Sequence, residues 1–588
     1  MKPFRKIYII WIFCLLIAAA GCSKILKEEP RVQVTPQIIN TQAGIEAVLA
    51  GVYSNLRNFW GTEGFAHQVS AGTDELIKGR DGLDQYHNYI NLLPNDFNNI
   101  WGGCYQSINN LNGIIDIAPG TSMDATLKTT RISEAKFLRG LYYYLLVLQF
   151  GDVPLNLSFI TAPSTAASRQ PQAEVYAAII KDLNEAFDGL PTKPDQSPGR
   201  AAKAAALHLL AKVYLTKGWS PAAEADDFKN AYTTAEKLIN TRSTYGLDLW
   251  QDFSDVFKEG NEYGKEAIFL VDRNTNALFS ESGYNNTTAT NKENRSNHYW
   301  RPLYTDPVPG SADTAVLATM QTATNGGATF ANNSMMTRDV TNGRPFIRFR
   351  PTAYTLDIAF AERVNDARYD KTFKKEWIFN RADVTSIATR RGTLVKNVDT
   401  AIYMPGREVT LAERNAFKGV IIAPSQYNSV WFPFMRKHDD QTRLHFNDPS
   451  DRPLNIFRLA ETYLIAAEAR LKDGDQATAA QHLNVLRQRA AYRTTNSAAQ
   501  NTAAAAAMTI TSDVVTVDFI LDEITRERYG EYNRWLDLAR TKKLIERVKK
   551  YNPSGGPNIQ PYHILRPIPQ DQIDRTTTGP RFPQNEGY

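Results

Sequence analysis

The stretch IFRLAETYLIAAEARLKDGD (456–475), followed at once by QATAAQHLNVLRQRA (476–490), decides the architecture. Apolar residues recur at helical spacing in its first half, Gly474 interrupts the run, and a second amphipathic segment follows. The same design occurs in ISEAKFLRGLYYYLLVLQFGD (132–152) with EVYAAIIKDLNEAFDGL (174–190). It recurs in AAKAAALHLLAKVYLTKGW (201–219) with FKNAYTTAEKLIN (228–240). One such pair cannot bury its own apolar face, so neighbouring pairs must stack into a continuous core.

These units read as degenerate tetratricopeptide-like helix pairs, and the expected fold class is mainly α. Around them, IEAVLAGVYSNLRNFW (45–60) opens the helical patterning near Thr41. NNIWGGCYQSINNLNGIIDIA (98–118) places Ile100, Cys104, Ser107, Ile108, Leu111 and Ile115 on one stripe. FILDEITRERYGEYNRWLDLARTKKLIERV (519–548) reads as a helical block whose charges pair at helical spacing. Between about residues 263 and 445 the helical period fades. Short strand-like runs, EAIFLV (266–271) and GVIIAP (419–424), stand among Asn, Thr, Gly and Pro clusters, which marks an irregular, partly β lobe. The expected organisation is a leader (1–21), a tether (22–40), an N-terminal helical region (41–245) and a C-terminal region (263–588). The last comprises the irregular lobe (263–445), helices (453–550) and an extended Pro-rich tail (551–588) that packs across the fold.

Lys2, Arg5 and Lys6 precede a largely apolar run ending in Ala19-Ala20-Gly21-Cys22. That is the pattern of a secretory signal peptide, too short to span a bilayer comfortably. A small-residue stretch ending in Cys also resembles the bacterial lipobox, which makes Cys22 the lipidated residue. Ala19 stands where Leu is usual, so a plain secreted protein is the alternative. Ser23 in place of Asp directs the expectation to the outer membrane. With Cys14 inside the leader and Cys22 taken up by the lipid, Cys104 is the single free thiol expected and no disulfide framework is possible.

The 67 basic and 62 acidic residues are spread along the chain, which argues against nucleic acid as a partner. Gly-rich phosphate loops, HExxH, GxSxG and CxxC spacings do not occur, and no cofactor is expected. His438, Asp439, Asp440, His445 and Asp448 form the densest ligand-type cluster. A solvated loop is the plain reading, with Asp448 and Asp451 starting the helix that follows; a calcium or transition-metal site is the alternative. Adjacent carboxylates at Asp74 and Glu75 raise the further alternative of a cell-surface glycoside hydrolase.

In order along the chain, CSKILKEEP (22–30), EAKFLRGLYYYLLVLQFGDVPL (134–155), GRAAKAAALHLLAKVYL (199–215), RLAETYLIAAEARL (458–471) and LNVLRQRA (483–490) are followed by DEITRERYGEYNRWLDLARTKKL (522–544), LRPIPQDQID (565–574) and FPQNEGY (582–588). Together they resemble the SusD/RagB family; Glu586 stands where the family usually has Pro. The resemblance implies a tetratricopeptide-like scaffold carrying an irregular ligand-binding lobe. It also implies a lipid-anchored, outward-facing outer-membrane protein that binds nutrient glycan, or peptide in some relatives, and works with a SusC-like TonB-dependent transporter. It implies a binding protein, not an enzyme.

Two segments supply candidate ligand contacts. GTDELIKGRDGLDQYHNY (72–89) holds Asp74, Arg80, Asp81 and Tyr86 in a polar loop, a neighbourhood the resemblance associates with ligand. NKENRSNHYWRPLY (291–304) puts Tyr299, Trp300 and Tyr304 in polar surroundings, where flat rings would cover a sugar face. The competing reading makes Trp300 a plug in the lobe's own core.

Overall fold

The computed structural model describes residues 34–194, 197–273, 293–305, 322–325, 328–331, 335–388 and 393–588. The leader, Cys22 and most of the tether lie outside them.

The principal helices are α1 (Gln42–Asn55), α2 (Glu63–Ser70), α3 (Asn98–Ile117), α4 (Ala125–Phe150), α5 (Gln172–Gly189), α6 (Lys203–Trp219) and α7 (Asp227–Asn240). After the irregular lobe come α8 (Leu459–Lys472), α9 (Gln476–Ala490), α10 (Val517–Arg528), α11 (Arg534–Arg540) and α12 (Leu544–Tyr551). The expected pairs α4/α5, α6/α7 and α8/α9 form, and α5 packs on α6 and α7 on α8. The stack is therefore continuous, and the mainly α, helical-pair fold stands as read. Its starts and stops follow local chemistry. Asp124 accepts from Leu127 N at 2.9 Å before α4, and Gly151, at φ 74°, ends it. Asp475 caps α9 through Thr478 N at 2.9 Å. Among the described residues no helix is long and apolar enough to cross a membrane.

Two expectations about the second half are corrected. The helical block 519–548 consists of three helices, α10, α11 and α12, divided by positive φ at Gly530, Tyr532 and Lys542. Their charges also reach far beyond helical spacing. Glu527, fully buried, accepts from Arg458 at 2.7 Å and Arg489 at 2.5 Å, and Glu523 accepts from Arg487 at 3.1 Å. A charge inside a core demands partners wherever the fold can supply them. Asp448 and Asp451 do not start a helix. The next element is the strand Leu454–Arg458, which pairs antiparallel with Ala267–Val271, and α8 begins only at Leu459. Ile456 and Phe457 suit a half-buried strand.

The irregular lobe has a core of its own. Trp377, Phe379, Ile402, Val420 and Trp431 are buried together with Tyr304 around a small sheet of Glu376–Ile378, Thr400–Tyr403 and Val420–Ile421. The tail packs back on the helices: Arg566 N donates to Gln149 O at 2.7 Å, and its guanidinium lies 3.7 Å from the Trp535 ring centroid.

Candidate functional site

The two segments singled out in the sequence both pack against residues 348–351, and most of their candidate side chains are core. Trp300 is 1 % exposed, with its ring 4.8 Å from Phe349 and 6.1 Å from Tyr532. Tyr299, at 2 %, donates to Gly61 O at 3.1 Å, and Tyr304, at 1 %, donates to Gly343 O. Tyr86 is buried and donates to Asp96 O at 3.1 Å. The expected ring platform is therefore corrected: in this structure the rings of Tyr299, Trp300 and Tyr304 present no face to a ligand, because protein atoms already cover them.

The 72–89 stretch is likewise not an open loop. Its strand Leu76–Lys78 pairs with Phe349–Pro351, and a short helix, Asp84–Asn88, follows. Asp74 is fully buried and accepts from Arg534 at 2.7 and 2.6 Å and from Arg547 at 2.6 Å, so its expected ligand role is corrected to a structural one. Burial works against its charge, yet the two guanidinium groups hold its carboxyl below the usual carboxylate range. Of the candidate ligand residues in this stretch, Arg80 and Asp81 stay at the surface, as a two-pronged pair at 2.8 and 2.9 Å. Asp439 and Asp440 pair with Arg301 and Ser450, and His438 contacts Gly530 O at 2.9 Å, so these side chains are taken up in turns and packing. Among the described residues no three His, Cys, Asp or Glu side chains are grouped to hold a metal ion.

Glu75 behaves unlike its neighbour. Burial pushes its carboxyl up to about 7, outweighing Arg534 at 3.4 Å, and the charge of Asp74 adds to the rise. A carboxyl whose folded pKa exceeds its unfolded one costs no stability below the unfolded value. The cost grows as pH rises between the two values and is complete above the folded one. Glu75→Gln should therefore gain on the parent between pH 5 and pH 8 by on the order of 2–3 kcal/mol, read from urea unfolding at each pH. An unchanged difference between the two proteins at both pH values would show that Glu75 is already ionised at pH 5.

An open cleft of about 690 Å³ lies one layer away, enclosed by α2, the first turns of α3 and residues 293–299. Thr62 caps α2 by accepting from Phe65 N at 3.4 Å. The turn before it needs Gly61, at φ 100°, because a Cβ there would stand 3.0 Å from Asn294. Residues 293–299 hook onto the same turn, with Arg295 N donating to Gly61 O at 3.0 Å. Helix α3 is two-faced here. Ile100, Cys104 and Ile108 face the core, whereas Asn99, Gly102 and Gln106, spaced three and four apart, are exposed towards the cleft. A Cβ on Gly102 would meet no atom within 4 Å. Helix α3 therefore borders open space at Gly102.

Asn55 ties the floor together by donating to Gly103 O at 2.9 Å and Ser107 Oγ at 2.6 Å. Two carboxylates at the wall are ion-paired, Glu63 with Arg348 at 2.6 Å and Glu293 with Arg295 at 2.7 Å, while Asp96 accepts from Leu93 N at 2.9 Å. Asn98 Oδ1 is buried and has no hydrogen-bond partner among the described residues. The cleft thus presents amide and carboxylate groups suited to a hydroxyl- or amide-rich ligand. The sequence contained its signal, the polar Asn99–Gly102–Gln106 face of α3, but attention to the apolar stripe alone passes over it.

The fold is a helical-pair scaffold with a polar cleft where its N-terminal helices meet the irregular lobe, and comparison with known proteins gives it a family. Residues 265–588 match the profile described as the SusD family, and residues 24–215 match the one described as "Starch-binding associating with outer membrane". The chain belongs to the SusD family. SusD-like protein P25 of Formosa agariphila is 24% identical over 603 residues, covering 96% of each chain. SusD-like protein P2 of the same organism is 32% identical over 297 residues, which span 48% of this chain and 55% of that relative. A solved laminarin-binding SusD-like protein superposes with a TM-score of 0.63 at 21% identity, covering 93% of this chain and 100% of that one.

Proposed function

We propose that this protein captures a nutrient oligo- or polysaccharide in the α2/α3 cleft and passes it to a SusC-like TonB-dependent transporter. In this reading Cys22 carries the lipid anchor, and the protein sits on the outer face of the outer membrane. The observation that carries the reading is the exposed Asn99–Gly102–Gln106 face, a polar wall on a helix whose other side is core. Side-chain amides and carboxylates pair with adjacent sugar hydroxyls. The descriptions of matched proteins as starch- and laminarin-binding support glycan as the ligand.

The protein acts in this reading without catalysis. Asp74 and Glu75 are 0 % and 2 % exposed, out of reach of a glycosidic bond. Peptide is the second reading. One observation favours it: Phe59, Phe65 and Tyr299, the rings lining the cleft, are no more than 3 % exposed and offer no stacking face.

Calorimetric titration against panels of oligosaccharides and peptides tests both. Gly102→Leu, whose side chain enters the empty space, should weaken binding more than about tenfold, equivalent to about 1.4 kcal/mol, with melting unchanged. Equal binding by parent and variant would move the site elsewhere, and release of products from a glycan would make the protein an enzyme. The anchor is tested separately. Cys22→Ser should leave the membrane fraction in cells lacking the partner transporter, since several acyl chains hold firmly where protein contacts alone do not. Retention of that variant in the outer membrane refutes lipidation.

A further inference from the structure

One wall of the cleft continues into a cluster of arginines. Arg295, which lines the cleft, Arg344 and Arg348 all approach one ring, Phe346, with guanidinium carbons 5.8, 5.2 and 5.3 Å from its centroid. His298 stacks on the same ring at 4.8 Å and holds it in place. Asn447 brings two of the cations together: its carbonyl accepts from Arg295 Nη1 at 3.0 Å and its Oδ1 from Arg344 Nη1 at 2.7 Å. Two of the three are neutralised locally, Arg295 by Glu293 and Arg348 by Glu63. Arg344 is exposed and has no carboxylate partner among the described residues. Partial burial, then the charges of Arg338, Arg295 and Arg348, push its pKa down, the effect expected where like charges are held together without a counter-ion.

A fold gains nothing from a cation left without a carboxylate beside two paired ones, whereas an oxyanion in that position supplies the counter-charge that Arg344 lacks. The planar guanidinium also offers paired N–H groups that fit the oxygens of a carboxylate or sulfate. We propose that Arg344, with Arg295 and Arg348, forms an anion subsite at the end of the cleft, and that the glycan bound there is acidic, carrying carboxylate or sulfate groups. The proposal rests on the glycan reading above and narrows it to a substrate class. The negative group sits at Arg344 while neighbouring hydroxyls reach the amide face of α3.

The test uses the full chain, with an oligoglucuronate and a neutral oligoglucoside of equal length, titrated at low and at physiological salt. The acidic chain should bind more tightly than the neutral one, and its advantage should shrink as salt rises, as screening requires. Arg344→Gln, an exposed position, should weaken the acidic chain more than about tenfold and the neutral chain far less. A sulfated oligosaccharide arm separates the two oxyanions. Equal binding of acidic and neutral chains, or an acidic preference that survives Arg344→Gln, overturns the anion subsite and leaves the glycan reading intact. Binding of an acidic peptide with no response to any oligosaccharide overturns both.

Discussion

Asp74→Ala should cost about 3–5 kcal/mol of stability, the expected penalty for removing one partner from a buried ion pair. Asp74 is fully buried and serves two guanidinium groups, Arg534 on α11 and Arg547 on α12. Without it both cations remain inside with their charge uncompensated. Arg547 keeps Asp518 at 2.8 Å and Asp522 at 2.6 Å, whereas among the described residues Arg534 keeps only Glu75, at 3.4 Å, as a carboxylate partner. The depressed carboxyl sets the pH dependence. Its stabilisation is fully present above the unfolded carboxylate value, near pH 4, and is lost as pH falls through the lower folded value. Parent and variant should therefore differ most at neutral pH and converge in acid. Urea unfolding followed by far-UV circular dichroism measures this. A variant as stable as the parent but unable to bind ligand would return Asp74 to the binding site.

Trp300→Ala should cost a similar amount, about 3–5 kcal/mol, through the cavity left when the largest side chain is removed from a packed site. Its indole Nε1 has no hydrogen-bond partner among the described residues, so Trp300→Phe gives up packing alone and should lose much less. Thermal melting of both variants alongside calorimetry separates the alternatives. A well-folded Trp300→Ala that no longer binds ligand would restore the ring platform that the sequence suggested.

The helical scaffold was legible because its information is local. In α4, α6 and α8 the apolar residues nearly surround the helix, and in α3 they form a stripe; either pattern is visible within one turn or two. The site was less legible because polarity of a segment indicates solvent only when its polar groups lack distant partners. Around Trp300 they have them. Ser296 meets Tyr532 at 2.5 Å, Arg301 pairs with Asp439 at 3.0 Å, and Asn294 reaches Arg452 O at 3.2 Å. Each contact joins residues far apart in the chain, so the surroundings of Trp300 read as a surface and fold as a core. The same reason explains α10, whose Glu523 and Glu527 look like solvated charges until Arg368, Arg458 and Arg487 arrive from elsewhere in the sequence. The cleft was visible in principle as the polar side of α3, since Asn99, Gly102 and Gln106 fall on one face.

Hydrogen–deuterium exchange of the full chain, free and saturated with its preferred oligosaccharide, tests the central claim most directly. A ligand seated in the cleft should slow exchange in the first turns of α3, around residues 98–106, and at the start of α2, around residues 62–68, while the core around Trp300 stays equally protected in both states. Protection confined to another surface, with these two segments unchanged, would contradict the placement of the site.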